Sequence, residues 1–167
     1  MVATPLQMKG CGFDLLSSAS VIKWHIVAMF LPSFVTGHLI RSFGVTRTMA
    51  CGPVLLVFCI LINLNGTTIV HFTCALILLG GGWNFLFVGG TTLLTEAYQP
   101  AEKAKAQGLN DFLIFSTVAM TAVSSGFLHD RFGWIAINYA VLPAIGIALC
   151  AIVWLGRRRV MLSSKAV

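Results

Sequence analysis

Five stretches of this chain, residues 24–40, 48–64, 68–94, 112–128 and 134–155, are long and apolar, with only short polar connections between them. No other feature limits the possible folds as strongly. Each stretch reaches the ~17–25 residues an α-helix needs to cross a bilayer. None shows the strict alternation of a membrane-barrel strand, so helices are the expected element. Pro32, Pro53 and Pro143 lie inside the runs, and helices in lipid tolerate them better than helices in water. The chain is 57% hydrophobic and 10% charged, with a mean hydropathy of +0.91. Soluble domains carry about 25% charged residues. Too little polar surface remains to cover a water-soluble core, and lipid is the expected solvent. The expected fold is an all-α integral membrane protein, a polytopic bundle of five complete spans.

The net charge of +6 does not point to nucleic acid, because the basic residues sit at the ends of apolar runs instead of clustering with aromatics. Arg41, Arg47, Lys103, Lys105, Arg157, Arg158, Arg159 and Lys165 fall on one side of the membrane; Lys9, Lys23 and Arg131 fall on the other. The basic excess marks the first side as cytoplasmic and places the C-terminal tail inside a cell membrane, as in a bacterial inner membrane. Five spans then put the N-terminus outside, yet MVATPLQMKG has neither the basic start nor the apolar core of a signal peptide. A preceding helix, with residues 1–6 as its last turn, would remove that conflict. The expected organisation is residues 1–23 as a helix remnant and outer loop, 24–155 as the bundle, and 156–167 as a basic cytoplasmic tail.

With that sixth helix, the chain divides into two sets of three. GHLIRSFG at residues 37–44 then joins the second and third helices of one set, and GFLHDRFG at 126–133 does so in the other. Gly126 follows Gly37 by 89 positions, with three spans between the turns, so the turns lie on opposite faces. Nested three-helix inverted repeats of transporters have that arrangement. Tight turns between helices also favour Gly on their own account.

GHLIRSFGVTR resembles the signature loop of the major facilitator superfamily, G-x-L-x-D-R-x-G-R-R. Gly37, Leu39, Gly44 and Arg47 fit or nearly fit, while Arg41 stands in place of the acid and Ser42 in place of the first base. The stretch from GGGWNFLFVGG through AEKAKAQGLNDF to SSGFLHDRFGW is similar to a bacterial branch of that family. The resemblance implies the eighth to twelfth helices of a twelve-helix secondary transporter, present as a C-terminal fragment whose partner would be the missing N-terminal half. It implies alternating access for a small-molecule solute, and gating roles for Gly37, Gly44 and Arg47. Other readings are a non-transporting helical membrane subunit, a degraded gene product, or a membrane-integral enzyme.

Polar groups at membrane depth single out further candidates. His25, beside Lys23 and Trp24, could carry a proton or contact solute; an interfacial histidine facing water is the plainer reading. Asn84 shares a helical face with Gly81, Val88, Thr91 and Thr95. It could bind solute, as could Trp83, or bond across to a neighbouring helix. Thr121 belongs to a stripe with Asn110, Thr117, Ser124 and Ser125 that could line a cavity or bond its own backbone. Asp111 could be a coupling acid, or an acid favoured by the dipole in a helix's first turn. Cys11, Cys51, Cys59, Cys74 and Cys150 form no C-x-x-C pair and read as small hydrophobes. His25, His38, His71 and His129 lack metal-ligand spacing, and no glycine loop for phosphates is followed by lysine. No metal, cofactor or enzyme activity is expected.

Overall fold

The computed structural model describes residues 2–164 as helices joined by short turns. Lys165 and residues 165–167 of the basic tail lie outside the described residues, as does Met1. A short helix, α1 (Ala3–Gly10), precedes α2 (Leu15–Phe30), α3 (Ser33–Phe43), α4 (Val45–Asn65) and α5 (Ile69–Thr95). A 3-10 turn, Pro100–Glu102, leads into α6 (Lys103–Ser164).

The helix α6 has 62 residues, about 93 Å if straight, against a hydrocarbon core of ~30 Å. It does not run straight. Gly133 has φ 76° and ψ −179°, a backbone shape that breaks the helix into two limbs. The limbs are antiparallel, and contacts pin both ends of each. Gln107 bonds Tyr98 near the start of the first limb, and His129 bonds Gln7 of α1 near its end. Trp134 Nε1 donates to the Asn63 carbonyl at the start of the second limb, and Arg159 pairs with Glu96 at its end. The structure therefore forms five spans: α2 with α3, α4, α5, and the two limbs of α6.

The two echoing segments are mostly helix. Gly37 and Gly126 lie within helices, and each segment bends only at its last glycine. Gly44 has φ 88° and ψ 153°, close to the conformation of Gly133. L-residues with a Cβ rarely adopt positive φ, which explains why glycine stands at both sites. The expected eight-residue turns are thus single-residue hinges. They lie on opposite faces, Gly44 with the α5 C-terminus side and Gly133 with α1.

The first span begins earlier than its apolar run. Asp14 accepts from the Ser17 N–H at 3.0 Å and caps α2, so Leu15–Phe43 spans 29 residues, about 43 Å. Some 20 residues counted back from Phe43 fill the hydrocarbon, which brings Trp24 to one of its boundaries. Lys23 is therefore helical, with its ammonium 5.8 Å from the Trp24 ring centre. The serines at 17, 18 and 20 hid this first part of the helix from a hydropathy reading.

At the centre, α5 packs against α2 on one side and α4 on the other. Gly82 and Gly52 meet backbone to backbone: a methyl on either would lie 3.0 Å from the other's carbonyl oxygen. Such close approach is how helices associate in lipid, where no hydrophobic force drives them together. Met8, Val21, Phe72 and Leu76 form a cluster at the α1 end of the bundle, edged by Phe13 and Trp134. Val45, Met49 and Ile152 form another at the opposite end. The accessible surface of 10709 Å² exceeds the about 8,000 Å² of a compact soluble protein of 18.0 kDa. The first limb of α6 contributes heavily, exposing Phe112, Phe115, Val123 and Phe127.

Candidate functional site: a polar node at the bend in the first span

Pro32 sets the geometry. It lacks an N–H and cannot continue the helical ladder, so α2 ends and α3 begins around it. The backbone bonds across the break run from Leu31 to Val27, Phe34 to Leu31, and Val35 and Thr36 to Pro32. Among the described residues none reaches the Met29 carbonyl. Asn84 of α5 supplies the missing donor, with Nδ2 2.8 Å from that oxygen.

The other Asn84 proton goes to Ser33 Oγ at 2.6 Å. The Thr36 hydroxyl lies 2.6 Å from Asn84 Oδ1 and 2.8 Å from the Pro32 carbonyl, so its one proton is shared between them. The amide orientation follows from these partners, since only Nδ2 can donate to a carbonyl. Asn84 is 2% exposed and Thr36 fully buried, and both amide protons are engaged. Left unbonded in lipid, these groups would each cost several kcal/mol.

His25 joins the same seam. It is 3% exposed, its side chain buried between α2 and α5 and not facing water as its neighbours suggest. Its Nδ1 lies 2.7 Å from the Leu76 carbonyl. A carbonyl only accepts, so Nδ1 carries the proton. Leu76, Gly80 and Asn84 repeat at four-residue spacing and form the face of α5 that meets α2.

The remaining candidates are dispersed. Trp83 is half-buried and stacked on Phe87, with centroids 5.9 Å apart. Thr121 is exposed on the first limb of α6, its hydroxyl 2.9 Å from the Thr117 carbonyl. Thr117, Ser124 and Ser125 likewise bond their own helix. Asp111 is half-buried beside Asn110, 3.3 Å from its Nδ2. It does not sit in a first helical turn, because a capping box of Gln99 and Glu102 starts that helix near Pro100. The dipole explanation for this acid therefore fails. Gly37 is exposed on α3, Gly44 is the hinge between α3 and α4, and Arg47 is exposed in the first turn of α4. Among the described residues no three His, Cys, Asp or Glu side chains gather as metal ligands would.

Sequence reading passed over Ser33 and Thr36. The available signal was their position one and four residues after an intramembrane proline, at a depth matching Asn84.

Antiparallel apolar helices of spanning length, hinged at glycines on opposite faces and joined by buried polar bonds, define a polytopic membrane protein. Residues 2–166 match the profile of the Major Facilitator Superfamily, and the chain belongs to that family of membrane transporters. It is similar to the riboflavin transporter RfnT of Brucella anthropi, with 44% identity over 153 residues, 92% of this chain and 38% of that protein. It also resembles two uncharacterized MFS-type transporters of Bacillus subtilis. These are YdeG (36% identity, 83% of this chain, 33% of that protein) and YddS (35%, 95% and 37%). The chain thus spans little more than a third of the relatives it matches. No solved structure matches it.

Proposed function

We propose that this bundle forms one wall of the solute pathway in a secondary transporter that works by alternating access, completed by a second helical bundle. The observation that carries this reading is 44% identity, along 92% of the chain, to a riboflavin transporter. Riboflavin, or a solute of similar chemistry, is accordingly the first candidate cargo. The matched relatives are more than twice as long as this chain, which supports a further bundle beside this one. The basic residues support a cytoplasmic C-terminus in a bacterial inner membrane.

Trp83 and Thr121 have the accessibility a solute contact needs. His25 and Asn84 hold the first span against α5 and let the two move as one body. Asp111, near the inner end of the first limb, is the candidate coupling acid. Gly44 and Arg47 serve the inner gate, with Gly37 as a point where another helix can approach α3 closely.

The test joins this chain to the preceding part of the Brucella anthropi transporter, replacing the matched stretch. Cells unable to make riboflavin and carrying the chimera should take it up saturably. Membrane-inserted chimera without uptake would refute the transport reading and favour a non-transporting subunit.

A further inference from the structure

Ser33 occupies an unusual position among the hydroxyls of the spans. Thr73, Thr92, Thr117, Thr121 and Ser124 each donate to the carbonyl four residues earlier, the ordinary outcome for hydroxyls in a membrane helix. For Ser33 that carbonyl belongs to Met29, which accepts from Asn84 at 2.8 Å and not from the Ser33 hydroxyl. Ser33 Oγ instead accepts from the same amide at 2.6 Å. Among the described residues no acceptor takes its proton, and the residue is exposed. A hydroxyl that accepts one hydrogen bond becomes a stronger donor of the next.

Depth adds to this. Asn84 sits near the middle of α5 (Ile69–Thr95), about 16–22 Å from either end. Ser33 therefore presents an unspent, polarised O–H near the bilayer midplane, at a broken helix. Transporters place solute sites at that depth, beside interrupted helices. A free donor facing lipid there would be costly.

We propose that Ser33 is a solute-contacting hydrogen-bond donor, oriented by Asn84 and selective for a solute that offers a carbonyl oxygen or ring nitrogen as acceptor. Asn84 then acts as a positioning residue, its own amide being spent on Met29, Ser33 and Thr36. The inference deepens the transport reading and rests on it. Riboflavin supplies both kinds of acceptor on its ring system.

The test measures binding separately from flux, using the quenching of riboflavin fluorescence by the purified chimera alongside uptake. Ser33→Ala should weaken binding about fivefold, the loss of one hydrogen bond. Ser33→Thr, which keeps the hydroxyl, should restore it; Ser33→Ala also strands one buried Asn84 N–H and should lower the melting temperature, so binding is compared well below melting. Unaltered binding in Ser33→Ala overturns the proposal. So does a fall in melting temperature that accounts for the whole loss, because Ser33 would then be only a support for Asn84. Binding that depends on Ser33 without flux in the unsubstituted chimera would refute transport while sustaining the contact.

Discussion

A methyl group at Gly80 tests how tightly the seam between the first span and α5 is built. In Gly80→Ala the new carbon would lie 2.6 Å from the His25 carbonyl oxygen and 3.0 Å from both Ala28 Cβ and Met29 N. Two of those atoms are backbone, so no side chain can rotate away. Ordinary contact begins at 3.4 Å, so the helices must separate by about 0.8 Å. That shift stretches the 2.7 Å His25–Leu76 bond and the 2.8 Å Asn84–Met29 bond to about 3.5 Å, beyond hydrogen-bonding range. Overpacking costs ~1–3 kcal/mol and each buried group left unbonded ~1–3 kcal/mol, while alanine returns about 1 kcal/mol of helix propensity. With partial relaxation the net is about 2–4 kcal/mol, or about 5–15 °C in melting temperature for a chain of this size. Thermal unfolding of purified protein in detergent measures it. Gly90→Ala is the control, since no atom lies within 4 Å of its added methyl. Equal melting of the two variants, within about 2 °C, would refute the tight seam.

Gly133→Ala should destabilise by about 1–2 kcal/mol despite the open space around it, because positive φ strains any residue with a Cβ. Gly126→Ala, at a helical site with equal room, should not, and the same melting assay separates them. Reporter fusions should find the chain end after Val167 in the cytoplasm and a reporter inserted after Asp130 outside; both on one side would refute the five-span arrangement. The Asp14 carboxyl is held below its usual range by its bonds to Ser17. Its capping contribution is therefore full above about pH 3.9 and fades as pH falls through the lower folded value. Asp14→Ala should lower the melting temperature at neutral pH and lose its effect in strong acid.

The five spans were legible because lipid demands about 20 apolar residues per crossing, a requirement visible in one dimension. Element ends were less so. The start of α2 depends on the Asp14 cap, and the start of α6 on Gln99 and Glu102, local bonds that hydropathy does not register. Gly44 and Gly133 were found through their repeated setting, but only the backbone shows that one glycine, and not eight residues, makes each bend. Asn84 drew notice as an amide at depth. Its partners did not, because Met29, Ser33 and Thr36 come into reach only when Pro32 bends the first span against α5. The water-facing reading of His25 fails for a related reason: its neighbours in sequence face the interface, whereas its own side chain turns toward Leu76.

Counterflow in reconstituted vesicles tests the carrier mechanism most directly. Vesicles holding the chimera are loaded with unlabelled riboflavin and diluted into a trace of labelled riboflavin. A site exposed alternately to each side draws the label in above its external concentration for a time, then lets it fall back. Label that only equilibrates, or never enters, would contradict alternating access by a transporter containing this bundle.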